Sequence, residues 1–392
     1  MDNLASKNLK ISLPEWFYFI ALTWFLVHEM LLTTTLPYEG TAYSFIIVLP
    51  LLITKIFYTR YNIYQLVMSV AIILVGIVSW RVTGISYPMK LAFFIAAGTN
   101  VKIEKILKCY LFVVFSILVI SLFMSITGVI INLVYTRYRD GRLFTRQAFG
   151  SIYPTNFASH VLYIYLFFSY LYREKFGILL CSLGWILSYL VYTYNDARFN
   201  AVLLALAATL FYFSSQKWIN SKLIYFATFS FPLLGFGSFL IAKFFTTSNP
   251  IWIKLNEVFS NRFMLMGSMM DEVPLGLFGK KIKLIGFGRG TQITEKYNYI
   301  DNSYFQVALL YGVLFLILIL IMFTYLHRQS SYSGNAFLAI LLLIIALASF
   351  VEENLIAASY NVLCVSLFAR FNTGKASDIT ENRPNKFFKT SS

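Results

Sequence analysis

Apolar stretches of about 15 to 25 residues recur along this chain from Leu13 to Phe371, and that recurrence limits its fold more than any motif does. A stretch of that length crosses a hydrocarbon core of about 30 Å as a helix. In lipid, backbone polar groups have to pair inside a helix or a closed barrel. Barrel strands alternate apolar and polar residues in segments of about ten, a pattern missing here. A water-soluble domain is excluded too, because 12% of the residues are charged where such domains carry about 25%. The sequence predicts an all-α, polytopic helical membrane protein.

Apolar windows give twelve expected spans, at 14–34, 43–58, 62–80, 85–99, 107–134, 156–172, 176–195, 199–214, 223–242, 303–326, 335–351 and 355–371. Residues 335–371 as one helix would measure about 55 Å, so Glu352-Glu353-Asn354 is read as a turn. The expected organisation is a cytoplasmic N-terminus (1–13), a membrane domain of about nine spans (14–242), a large outer loop (243–302), about three further spans (303–371) and a disordered cytoplasmic tail (372–392). The first apolar run is too long for a signal-peptide core and lacks a small-residue cleavage site, so it reads as a retained span.

Charge sets the expected orientation. The chain has 32 Lys+Arg against 17 Asp+Glu, a net +15. In a soluble protein this would point to nucleic acid; here it fits the cytoplasmic loops of a membrane protein, which collect cations. With both termini inside, inner segments hold Lys55 and Arg60, Lys102, Lys105 and Lys108, Arg173 and Lys175, Lys217 and Lys222, Arg328, and the lysines of the tail. Cys109, Cys181 and Cys364 are odd in number and lie in apolar runs, so no disulfide framework is indicated.

Two outer segments break the charge rule. Residues 135–155 carry Arg137, Arg139, Arg142 and Arg146 among aromatics, and 243–302 carries Arg262, Arg289 and six lysines. Guanidinium groups suit phosphate and diphosphate through paired donors; interfacial anchoring by Arg and Tyr would give the same pattern. Tyr153-Pro154-Thr155-Asn156 reads as a turn feeding a helix, with His160 one helical turn in. Asp196 and Arg198 share a tight hairpin at the membrane boundary, as a functional group or as a mutually neutralising pair. Ser248-Asn249-Pro250 followed by apolar residues at helical spacing predicts an amphipathic helix with Arg262 near its apolar margin. Gly286-Phe-Gly288-Arg289-Gly290 lacks the βαβ context of a nucleotide loop. Asp301, before Asn302-Ser303-Tyr304, is a general base or the cap of the next helix; Glu352 and Glu353 are a second carboxylate cluster.

This arrangement resembles the Wzy-class repeat-unit polymerases of bacterial surface polysaccharides, which build O-antigen, capsule and exopolysaccharide. The features that carry the resemblance are the layout of spans, the turn Gly150 to Asn156, hairpin Arg198, Asn261-Arg262 early in a large outer loop, Gly286 to Gly290, and Asp301-Asn302-Ser303-Tyr304 with Gly312. It covers roughly residues 130–320. The chain departs from the family where Tyr153-Pro154-Thr155-Asn156 replaces His-Pro-Asn and Asp196-Ala197-Arg198 replaces Ser-Arg-Gly.

The resemblance implies inverting glycosyl transfer, without metal or other cofactor, at the outer face of the bacterial plasma membrane. A polyprenyl-diphosphate-linked oligosaccharide would be the substrate, with a chain-length regulator and a flippase acting beside the enzyme in the bilayer. Catalytic roles would fall to Asp301, Arg198, Glu352 and Glu353. Substrate or diphosphate contacts would fall to Arg139, Arg142, Arg146, Asn156, His160, Arg262, Arg289 and Tyr304. Two rivals share the broad pattern: a polyprenyl-linked oligosaccharide flippase and a surface-polysaccharide ligase.

Overall fold

The structure, a computed structural model of the chain, describes residues 12–40, 44–139, 141–290 and 296–371. The expected tail at 372–392 and most of the N-terminal segment lie outside the described residues. The chain begins with α1 (Leu13–Leu32), α2 (Ser44–Phe57), α3 (Ile63–Thr83) and α4 (Tyr87–Ala97). Next, α5 (Ile103–Tyr110) runs through a π-helical turn into α6 (Ser116–Ile126). A hairpin of β1 (Val134–Arg139) and β2 (Arg142–Gln147) leads to α7 (Pro154–Leu171), α8 (Ile178–Asn195) and α9 (Arg198–Ser215). There follow α10 (Ser221–Ala227), α11 (Ser230–Phe244), α12 (Pro250–Val258), α13 (Arg262–Glu272), α14 (Ser303–Tyr311), α15 (Val313–Tyr332) and α16 (Ala336–Val351).

Among the described residues, α1, α3, the continuous α5–α6, α8, α9 and α15 are long and apolar enough to cross a membrane; α2, α4, α11 and α16 are shorter apolar helices. Local chemistry sets their limits. Asn62 and Gln65 form a reciprocal capping box at the start of α3, and Gly84 ends that helix in the left-handed conformation. Pro154 starts α7, where a missing N–H costs nothing.

The helices run between two ends. At one end Lys105 pairs with Glu15 at 2.8 Å, Arg173 with Glu104 at 3.5 Å, and the Asn100 amide donates to the Arg60 carbonyl at 2.7 Å. At the other, the Ile152 N–H donates to the Thr33 carbonyl at 3.0 Å, Arg146 reaches the Asn195 carbonyl at 3.0 Å, and Arg262 joins Asp301 and Glu352. The lysine-bearing short loops therefore gather at one end, and the arginine-bearing segments 135–155 and 243–302 at the other.

Three local expectations are corrected. Residues 355–371, expected as a helical span, are not a helix: after α16 the chain returns through the core as irregular backbone with one 3-10 turn, Val362–Val365. It starts beside the Glu352 end and reaches Lys102 at the other, where the Arg370 N–H donates to the Val101 carbonyl at 2.8 Å. Tyrosines replace the missing helical bonds. Tyr87 donates to the Ile356 carbonyl at 2.8 Å, Tyr110 to Ser359 at 3.0 Å and Tyr18 to Val365 at 3.3 Å. Irregular backbone at membrane depth survives only when protein surrounds it, and nearly every residue of this stretch is buried.

The arginine-rich segment, expected as a loop, forms the antiparallel hairpin, with register Tyr135 to Arg146, Arg137 to Phe144 and Arg139 to Arg142. The amphipathic helix expected from Pro250 is broken into α12 and α13, because Ser260 and Asn261 adopt φ of 54° and 66°.

The large loop also dips against the membrane helices. Gly312 has φ 105°, and a Cβ there would lie 2.4 Å from the Leu277 carbonyl oxygen, so glycine alone fits. The helical path breaks there between α14 and α15, and loop backbone takes over: Lys280 N–H donates to Leu309, Val313 N–H to Gly276, both at 3.1 Å.

Candidate active site at the arginine end

Arg262 opens α13 at the left-handed turn, and its side chain is 10% exposed. Its Nε lies 2.9 Å from Asp301 Oδ2, and its Nη2 donates to Glu352 Oε1 at 3.3 Å. The guanidinium also sits 5.7 Å from the centre of the Phe199 ring, at the start of α9. Glu352 is 9% exposed and Asp301 26%, which makes Asp301 the open corner of the triad.

Glu353 stands beside it, accepting hydrogen bonds from the Tyr299 hydroxyl and, at 2.9 Å, from the Gln306 amide. Burial raises both glutamates above the ordinary carboxylate range. For Glu352, the charges of Arg262 and Arg146 oppose the rise without cancelling it, and Asp301 and Glu353 add to it.

The cap of α14 is Asn302, whose Oδ1 accepts the Phe305 N–H at 2.9 Å and whose amide donates to Phe350 and Ser238. Of the two roles open to Asp301 in the sequence, capping is thus taken by its neighbour. Ser303 carries the α16 turn, donating to the Glu352 carbonyl and accepting the Leu355 N–H at 3.1 Å.

A second cationic group borders this triad. Directly opposed residues share a hairpin face, so one face carries Tyr135, Arg137, Arg146 and Phe144, with Arg139 and Arg142 at the same register positions. For the last two the structure describes backbone only. This face turns inward: Arg146 is buried, donates to the Asn195 carbonyl and, at 3.3 Å, to the Tyr153 hydroxyl, and lies 5.3 Å over the Tyr153 ring. Arg198, at the first position of α9, has Nε 3.7 Å from Asp196 Oδ1 and remains 39% exposed. Burial, then the like charges of Arg146 and Arg198, lower the proton affinity of Arg137; Asp196 and Tyr153 oppose them. Three guanidiniums therefore converge next to the turn that begins α9.

The remaining sequence candidates divide. Asn156 donates to the Tyr360 hydroxyl, and His160 stacks on the Tyr360 ring at 4.2 Å with Nε2 2.9 Å from the Thr33 hydroxyl. Both hold the returning segment against α7 and α1. Arg289 donates to the Leu32 carbonyl at 3.1 Å, closing the C-terminal end of α1 under the loop. Tyr304, fully buried, donates to the Ala346 carbonyl at 2.9 Å, which places it in a helix interface and not at a substrate surface.

No family model, curated protein or solved structure matches the chain.

What the site can do is therefore read from its own side chains. Among the described residues, no group of three or more His, Cys, Asp or Glu is placed to hold a metal ion. Arg137, Tyr299 and Gln306 join the cluster, with Tyr297 close enough to Asp301 and Arg262 to interact with them through space, without having been singled out as site residues in the sequence. Arg137 could have been found, since Asp140-Gly141 between β-forming residues is a hairpin signal that puts residues 137 and 146 on one face. Gln306 and Tyr299 carried no local signal, because their partner Glu353 is 47 and 54 residues away.

Proposed function

We propose that this chain polymerises lipid-linked oligosaccharide repeat units at the outer face of a bacterial plasma membrane, crossing it twelve times with both termini inside. Eleven crossings would be helical and the last would be the irregular segment 355–371. The observation that carries the reading is the meeting, at the end opposite the lysine loops, of an arginine group with a partly exposed carboxylate held by a buried arginine. Such a pair of groups suits transfer from a diphosphate.

In this reading the acceptor sugar hydroxyl attacks the anomeric carbon of the growing chain, from the face opposite the diphosphate. The new C–O bond forms as the old bond to polyprenyl diphosphate breaks, which inverts the anomeric centre. Arg198 and Arg137 hold the departing diphosphate, whose charge grows in the transition state. Asp301 takes the hydroxyl proton, and Arg262 fixes its position from below. Arg146, Glu352 and Glu353 form the buried support.

A deletion strain tests the reading against its rivals through the glycan it makes. A single repeat unit transferred to the usual final acceptor supports the polymerase. Lipid-linked units trapped on the inner side would instead identify a flippase, and full-length chains left on their lipid carrier a ligase.

A further inference from the structure

Lys90 stands one turn inside α4, near the same end as the candidate active site. A lysine at that depth normally extends its ammonium to the interface. Lys90 does not: it is 9% exposed, and its Nζ lies 5.8 Å from the centre of the Phe45 ring of α2. Neither a hydrogen bond nor an ion pair engages the ammonium among the described residues, although Glu29 of α1 is close enough to interact with it through space. The ammonium faces a narrow, shallow recess lined by Trp24, Phe25, His28, Phe45 and Val48. Trp24 is 48% exposed at its rim, and Ile46 and Ile47 beside it on α2 are exposed apolar residues. The recess therefore opens sideways, on a surface suited to lipid.

His28 adds a donor. Its Nδ1 is 2.7 Å from the Tyr38 hydroxyl; accepting from that hydroxyl leaves the ring hydrogen on Nε2. A buried cation without an ion pair, a second donor and an apolar, laterally open wall are the elements of an anion site reached through the bilayer. Burying an ammonium without a paired anion is costly, and a lipid phosphate supplies that anion while its chains stay against α1 and α2.

We infer that the open mouth of the recess between α1, α2 and α4 binds the phosphate of an anionic lipid, with Lys90 and His28 as its donors. This requires only that the Trp24 face meets lipid and does not depend on the polymerase reading.

Trp24 provides the test. The full chain is reconstituted in phosphatidylcholine nanodiscs containing either dibrominated phosphatidylglycerol or dibrominated phosphatidylcholine. The Trp24 signal is taken as the difference between wild type and Trp24→Phe. Brominated phosphatidylglycerol should half-quench Trp24 at a mole fraction about fivefold lower than the neutral lipid, the factor one basic side chain contributes at an anionic lipid. Lys90→Gln should equalise the two lipids, Lys90→Arg should keep the preference, and Glu29→Gln should strengthen it. Unlabelled polyprenyl phosphate and unlabelled phosphatidylglycerol, added as competitors, show whether the carrier lipid or bulk lipid is preferred; competition by either supports the site. Equal quenching by both brominated lipids in the wild type would overturn the inference, as would a preference that survives in Lys90→Gln. Competition by inorganic phosphate as effective as that by lipid phosphate would also overturn it, because the site would then take free phosphate.

Discussion

At the scale of single residues, Arg262 does two jobs that one substitution can separate. Removing it leaves Asp301 and Glu352 facing each other with little solvent. Breaking a buried pair by deleting one partner costs about 3–5 kcal/mol, so Arg262→Met should lower the melting temperature of the detergent-solubilised protein. Adding Glu352→Gln should return much of that loss, and a double variant no more stable than Arg262→Met would show that the two do not interact. Asp301→Asn is the complementary change. Because Asn302 already caps α14 and Glu352 remains beside Arg262, the amide should keep the protein level near wild type and lower the melting temperature less than Arg262→Met does, while chain extension is lost. Normal polymer from Asp301→Asn would remove Asp301 from the chemistry.

The raised glutamates also fix a direction with pH. A carboxyl held above its unfolded value binds protons in the folded state that the unfolded chain has released. Its stabilising share is complete below the ordinary carboxylate range and disappears as pH rises through the raised value. The melting temperature should therefore fall between mildly acidic and mildly alkaline buffer, and Glu353→Gln, which keeps a side chain able to pair with Tyr299, should flatten part of that fall. A curve of unchanged slope would mean that burial at Glu353 does not perturb its titration.

Among elements, several helices were legible in the sequence almost to their limits, because apolar length is the direct signature of a membrane helix: the expected 62–80, 176–195 and 335–351 became Ile63–Thr83, Ile178–Asn195 and Ala336–Val351, whereas the expected 107–134 ends at Ile126, 223–242 is divided into Ser221–Ala227 and Ser230–Phe244, and 303–326 breaks at Gly312 and runs on to Tyr332. What was missed has physical causes. Segment 355–371 is as apolar as a helix, and only Ser359, Asn361 and Ser366 within it, with Asn354 just before it, mark a backbone that needs side-chain partners. Those partners, Tyr18, Tyr87 and Tyr110, lie in other helices and leave no local trace. The pairing of Arg262 with Glu352, 90 residues apart, was hidden for the same reason, whereas Arg198 beside Asp196 could be read from adjacency. Gly312 tests the element scale. Gly312→Ala forces a β-carbon into the Leu277 carbonyl at positive φ, and the backbone strain alone is about 1–3 kcal/mol. The variant should be less stable, with proteolysis appearing first in the 276–290 loop; wild-type stability would mean that the loop does not depend on the break.

For the whole molecule, the separation of lysine loops from arginine segments gives the proposed orientation a direct test. In a variant lacking Cys109, Cys181 and Cys364, a cysteine at exposed Thr145 on the hairpin should react with an impermeant thiol reagent on intact cells, and one at exposed Gln216 should not. The reverse pattern would put the arginine end inside and remove the site from any outer-face substrate. The central claim is glycosyl transfer from a diphosphate, and reconstitution measures it most directly. Purified protein in liposomes is given the lipid-linked repeat unit, and new glycosidic linkages and released polyprenyl diphosphate are counted together. The account predicts one diphosphate released for each linkage formed, with both lost in Asp301→Asn and in Arg198→Ala; repeat units that cross the bilayer without any linkage being made would contradict it.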